Sequence, residues 1–192
     1  MKRAVLLLTG LFALSIAVNA QGIEIGAKMD NFTLADTNGK VQTLDGLKGK
    51  NGAVVIFLSA QCPVVRGYKD RINQVAAEAQ AKGIAFIGIN SNHTEDLDWV
   101  KRNIQEYGYK FPVLIDKDNH LADKLDAQAT PEVYYVDGND KLLYHGAIDN
   151  DQKGTNITEK YLNTAFDSAL SGKPIEKTRV RAFGCTIKKV GM

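Results

Sequence analysis

Cysteine is scarce in this chain: among 192 residues there are two, Cys62 and Cys185. Neither has a second cysteine within a helical turn, which excludes a local pair in which one thiol attacks and the next resolves. Histidine is limited to His93, His120 and His145. They do not form a spaced ligand set, so neither a metal nor a cofactor is expected. Neither sign of charge dominates. Lysine and arginine total 24, aspartate and glutamate 22, and setting aside Lys2 and Arg3 leaves 22 of each. Without a basic stripe, nucleic acid and anionic membrane are not expected partners. There is no internal repeat or low-complexity tract. Beyond the N-terminal stretch there is no apolar run long enough to span a bilayer.

That N-terminal stretch has its own character. Lys2 and Arg3 precede an uncharged, mostly apolar segment, Ala4 to Val18, and Val18-Asn19-Ala20 puts small or apolar side chains where a signal peptidase cuts. The pattern is that of a secretory signal peptide over residues 1–20, too short to span a bilayer, which takes about 20 apolar residues. An exported protein is therefore expected, periplasmic in a Gram-negative host and secreted otherwise. No cysteine follows the cleavage point to carry a lipid. About 170 residues remain, enough for one domain with a full core. That domain is expected over 21–172, followed by a tail, 173–192, that carries Cys185. Both cysteines lie in the exported part, where an even pair normally means a disulfide, structural or catalytic.

Along the chain, Phe32 to Leu34 and Val41 to Leu44 flank Asn38-Gly39, a hairpin signal. Ala53 to Leu58 is a continuous apolar run, as in a central strand buried on both faces. Pro63 suits the first turn of a helix. Val65, Tyr68, Ile72, Val75 and Ala79 recur at helical spacing, and Gly83 stops that helix. Ile84 to Ile89 is a second buried strand, which completes a βαβ unit with parallel strands. Asn92 and Glu95 read as a capping box for a helix that carries Leu97, Val100 and Ile104 inward and ends at Gly108. A short strand over Val113 to Ile115 and a short helix over His120 to Leu125 follow. Val133 to Val136 and Leu142 to Ile148 make a hairpin through Gly138-Asn139. A last amphipathic helix carries Tyr161, Leu162, Ala165, Phe166, Ala169 and Leu170. Past Pro174 the periodicity is lost. The order is α/β, with a mixed sheet flanked by helices.

Cys62 ends a buried strand and begins a helix. A sulfur there faces unpaired backbone N–H groups and the positive end of the helix dipole, which favour the attacking thiolate. Thr130-Pro131 opens a strand. A cis X–Pro bond costs only about 0.5–1 kcal/mol over trans, and it would leave the preceding backbone groups free to pair with a bound partner. Cys185 is the natural resolving thiol for Cys62, and Arg179, Arg181, Lys188 and Lys189 flank it and could favour its thiolate.

Ser59-Ala60-Gln61-Cys62-Pro63, Ala129-Thr130-Pro131-Glu132-Val133 and Phe183-Gly184-Cys185-Thr186-Ile187-Lys188 together resemble the redoxin branch of the alkyl hydroperoxide reductase/thiol-specific antioxidant family. The likeness runs from about Gly26 to the end of the chain. It implies a thioredoxin-like fold and redox chemistry at Cys62. Two departures bear on which chemistry. Thioredoxin-type oxidoreductases carry Cys-x-x-Cys, and Val65 stands at the second position. Peroxiredoxins carry Pro-x-x-x-Thr/Ser-x-x-Cys with an arginine near the sulfur. Here Ser59 fits, Val55 replaces the proline, and neither Arg66 nor Arg71 matches that arginine.

Three functions stay open on these residues. The first is a thiol–disulfide oxidoreductase that acts on protein or small-molecule thiols with an external electron donor. The second is a peroxiredoxin-like peroxidase, an antioxidant enzyme. The third is a non-catalytic binding or copper-handling module. The site residues in the first two are Cys62, Cys185, Ser59, Thr130 and Pro131.

Overall fold

The computed structural model describes residues 22–191, so the expected signal peptide lies outside the described residues. At the centre is β3 (Ala53–Leu58), whose six residues are all buried. An apolar run without alternation must be covered on both faces. Val54, Ile56 and Leu58 enter one core with Val65, Tyr68, Ile72, Val75 and Ala79 of α2 (Pro63–Ala81). Ala53, Val55 and Phe57 enter a second core. There they meet Leu44 of α1 (Leu44–Leu47) and Leu121, Ala122 and Leu125 of α4 (His120–Leu125). The two-residue pleat of one strand thus separates two packed layers. Truncating a fully buried residue such as Ile72 costs about 2–5 kcal/mol.

Helix α2 starts at Pro63, with Cys62 as its N-cap, and the chain reverses at Gly83, whose φ is +70°. Strand β4 (Ala85–Asn90) then runs parallel to β3, with Ala53 opposite Ala85 and Leu58 opposite Asn90. After α3 (Leu97–Tyr107), β5 (Val113–Ile115) lies parallel to β4. Strand β6 (Ala129–Thr130) leads into β7 (Glu132–Val136), antiparallel to β3, and β8 (Leu142–Gly146) closes a hairpin on β7. Helix α5 (Tyr161–Leu170) covers the first core through Leu162, Ala165 and Phe166. The N-terminal hairpin, β1 (Thr33–Asp36) and β2 (Val41–Thr43), pairs onto β5, giving a seven-stranded sheet in the order β2-β1-β5-β4-β3-β7-β8. A mixed sheet flanked by helices, with a cysteine where the first central strand becomes a helix, is the thioredoxin-like plan that the sequence implies. No helix among the described residues is long and apolar enough to cross a membrane.

Two local expectations are corrected. The cap of α3 is Asp96, whose carboxylate accepts from Trp99 N–H at 2.7 Å. Asn92 and Glu95 are turned elsewhere. Leu97 is exposed, while Val100 and Ile104 do face the first core, and Asn103 and Tyr107 complete the inward face of α3. The residues past Pro174 also have a defined course despite their lack of periodicity. Thr178 C=O accepts from His145 N–H at 2.9 Å and Val180 N–H donates to His145 C=O at 3.0 Å, so the tail extends the sheet edge beside β8. Gly146 permits this approach, because a Cβ there would lie 1.7 Å from the Val180 carbonyl oxygen.

Candidate active site

The loop from β3 to α2 carries Ser59, Ala60 and Gln61 into the N-cap at Cys62, and a single buried carboxylate organises it. Glu95 is 3 % exposed. It accepts from the Ser59 hydroxyl at 2.5 Å, Ala60 N–H at 2.8 Å, Gln61 N–H at 3.1 Å and the Asn90 amide at 2.6 Å. A buried carboxylate is tolerated only when its lone pairs are filled, and these four donors fill them. The sequence suggests a helix cap for Glu95. Its spacing from Asn92 imitates a capping box, and nothing in one sequence separates the two uses.

Opposite this loop the Thr130-Pro131 bond is cis. The Cys62 thiol donates to the Thr130 carbonyl oxygen at 3.3 Å, and Cys62 makes no side-chain cap contact with its helix. The backbone of Thr130 is not free for a partner. Strand β9 (Cys185–Thr186) pairs antiparallel with β6, with Thr130 opposite Cys185 and Ala129 opposite Thr186. Gly184 makes the approach possible, since a Cβ there would lie 1.9 Å from the Thr130 oxygen.

Further anchors hold the tail after β9. Ile187 is fully buried in the second core, and its N–H donates to Gln128 C=O at 3.0 Å. The buried amides of Asn92 and Asn119 accept from Lys188 N–H at 2.9 Å and Val190 N–H at 2.7 Å. His93 N–H donates to Lys188 C=O at 2.9 Å, and Lys189 pairs with Asp123 at 2.9 Å. Each such hydrogen bond contributes a net of about 1 kcal/mol, and together they fix the strand that carries Cys185.

The result is that the two cysteines, both free thiols, stand side by side. Burial, with Cys62 as hydrogen-bond and charge neighbour, pushes the Cys185 thiol up to about 11. The Val64 N–H, in the first turn of α2, and the charge of Lys188 act in the opposite sense and are outweighed. The basic tail therefore does not make Cys185 a ready thiolate. The Tyr109 hydroxyl, a charge neighbour of Cys62, is buried and without a hydrogen-bond partner. Burial, with Tyr107 and Cys62 as charge neighbours, raises its pKa. No pattern in the sequence singles out Tyr109.

The groups that peroxide chemistry would need are committed elsewhere. The single proton of Ser59 goes to Glu95. Arg66 donates to the Tyr107 hydroxyl at 3.4 Å. Arg71 pairs with Asp149 at 2.8 Å and lies 3.4 Å over the Tyr68 ring. On the other side of β6, Glu132 accepts from Gln128 N–H and Ala129 N–H, each at 2.8 Å, and meets His145 Nε2 at 2.5 Å. This pair holds the backbone that precedes Thr130, and no pattern in the sequence marks it.

Comparison with known proteins agrees with this architecture. The Redoxin family model matches residues 24–164. The chain belongs to the Redoxin family. Among curated relatives of this redoxin is the thiol-disulfide oxidoreductase ResA of Bacillus thuringiensis strain Al Hakam, 28 % identical over 121 residues, which are 63 % of this chain and 68 % of the relative. A hypothetical protein from Sinorhizobium meliloti 1021 has a solved structure that covers 90 % of this redoxin and 98 % of its own chain, with TM-score 0.81 and 31 % identity. A peroxidoxin from Mycobacterium tuberculosis, BcpB, shares the fold at TM-score 0.56 and 17 % identity, over 78 % of this chain and 95 % of its own. The thioredoxin-like fold and the redoxin membership that the sequence implies are thus both shown.

Proposed function

We infer that this redoxin is an exported thiol–disulfide oxidoreductase whose working pair is Cys62 and Cys185. One observation carries the reading. The β6–β9 ladder brings the chain's only two cysteines together at the N-terminus of α2, although one lies at the start of that helix and the other in the C-terminal tail. A separate strand so supplies the second thiol that Val65 denies to the helix. The ResA relatives, described as thiol-disulfide oxidoreductases, support the same reaction class. Oxidation joins the two sulfurs and releases two electrons and two protons to a partner disulfide, and reduction reverses this. Thr130 and Pro131 shape the edge on which Cys185 is presented, and Ser59 acts through Glu95.

Peroxide reduction is the weaker reading, because it needs donors waiting for the charge that develops on the leaving oxygen. Ser59, Arg66 and Arg71 are engaged as described. A copper-handling role has little support, as no cluster of three or more histidine, cysteine or acidic side chains able to hold a metal ion occurs among the described residues. Stopped-flow kinetics with a model disulfide and with hydrogen peroxide tests the choice. Exchange that needs both cysteines is expected. A Cys62-dependent peroxide rate far above that of a free thiol would replace this reading with the peroxidase. Export is supported by Lys2, Arg3 and the apolar stretch that follows, and a mature N-terminus at Gln21 is the expected outcome of N-terminal sequencing.

A further inference from the structure

Cys62 is 1 % exposed, whereas Cys185 is only partly buried. Resting on the dithiol reading above, we propose that Cys185 is the sulfur that exchanges with the external partner. Cys62 is then the internal sulfur, and the partner is a small thiol or disulfide rather than an extended polypeptide.

Access comes first. Thiol–disulfide exchange depends on which sulfur an incoming thiolate can reach. Cys62 lies in the first core with its thiol turned to the Thr130 carbonyl. Cys185 is the one of the pair that meets solvent.

The backbone edge comes second. An extended polypeptide gains affinity by pairing with a free strand edge, and the edge beside the cysteines is already taken by β9. Gly184 is wedged against the Thr130 oxygen, and the chain beyond is tied by Ile187, Asn92 and Asn119. A foreign strand must break these contacts. A small thiol has only to reach one sulfur.

The leaving group comes third. Attack on Cys185 expels Cys62, which is the N-cap of the 19-residue helix α2. The positive end of the helix dipole stabilises the charge as it appears there, and the Thr130 carbonyl accepts the thiol once it is protonated. Attack on Cys62 would instead expel Cys185, held up to about 11 by burial and its neighbour, and so the poorer leaving group.

The steps balance. A small thiolate attacks Cys185 Sγ in the Cys62–Cys185 disulfide. Its new S–S bond forms as the protein's bond breaks, and the electron pair leaves on Cys62, which takes up a proton. A second small thiolate attacks the small molecule's sulfur in this mixed disulfide and frees Cys185, which is protonated in turn. Two thiols become one disulfide, and the protein pair gains two electrons.

Glutathione is the probe. The oxidised protein is mixed with it, quenched in acid at short times and mapped by mass spectrometry, with the glutathione adduct expected on Cys185. With 5,5′-dithiobis(2-nitrobenzoate), Cys62→Ala should react faster than Cys185→Ala by on the order of tenfold, set by access. An extended cysteine-containing peptide should reduce the oxidised protein more slowly than glutathione does. An adduct on Cys62, or a faster Cys185→Ala variant, overturns the assignment of roles, and a peptide that matches glutathione overturns the small partner. The adduct map needs no variant, so misfolding of either substitution leaves the test intact. A protein whose disulfide no thiol reduces would instead defeat the oxidoreductase reading itself.

Discussion

Thr130 serves both cysteines at once: its backbone pairs with Cys185 across the β6–β9 ladder, and its carbonyl oxygen accepts the Cys62 thiol at 3.3 Å. A residue that the sequence suggests as the rest for a partner strand instead holds the protein's own C-terminal strand in that place.

Gly184→Ala tests this directly. The new Cβ would meet the Thr130 oxygen at 1.9 Å and its carbonyl carbon at 2.6 Å, both backbone atoms. Overpacking of this kind costs about 1–3 kcal/mol, and β9 must shift to relieve it. Faster alkylation of Cys62 and slower closure of the Cys62–Cys185 bond are the expected results. Unchanged values for both would mean that β9 does not govern the pair.

Glu95→Ala leaves the Ala60 and Gln61 N–H groups and the Asn90 amide without their common acceptor. An unsatisfied buried donor costs about 1–3 kcal/mol, so a loss of about 3 kcal/mol or more is expected in denaturant unfolding. Glu95→Gln keeps one oxygen and should lose less. Equal losses in the two variants would show that acceptor geometry is not what Glu95 supplies.

Glu132 gives a pH dependence of defined sign. Burial raises its pKa, but the hydrogen bonds from His145 and from the Gln128 and Ala129 N–H groups outweigh it and hold the carboxyl below its ordinary value of 4.5. A depressed folded value contributes stability that is fully present above the unfolded value and is lost as pH falls through the folded one. Between neutral pH and acid the protein should therefore lose stability below about pH 4.5, and Glu132→Gln should lose less over the same range. Parallel curves for the two proteins would rule this contribution out.

Cys185 should alkylate with an inflection near 11 in the reduced protein. Burial is the first cause and Cys62 the second, so Cys62→Ala should lower the inflection without returning it to the ordinary value. Rates of iodoacetamide labelling against pH measure both. An inflection that does not move on removing Cys62 would show that the two thiols are not in contact.

Much of the architecture is written in local pattern. The unbroken Ala53–Leu58 run, the spacing from Val65 to Ala79 and the Asn38-Gly39 turn each carry a physical signal that burial and backbone geometry then obey. The cysteine at the strand–helix junction is legible for the same reason. What escapes is polar and long-range. Glu95 and Asn92 have the spacing of a helix cap, yet one fills the loop before Cys62 and the other anchors Lys188. Residues 173–191 show no period because, apart from the two-residue β9, their backbone is satisfied by sheet edges and buried amides. The same segment packs Phe183 and Cys185 against the core that holds Cys62, a long-range contact that no local pattern announces.

The central claim is that Cys62 and Cys185 form one reversible redox pair. Equilibrating the purified protein across glutathione redox buffers, trapping free thiols and mapping the peptides measures it most directly. The account predicts a Cys62–Cys185 link that opens and closes as a single two-electron step within the range of the buffers. Two cysteines that never join, or a link that glutathione leaves closed throughout, would contradict it.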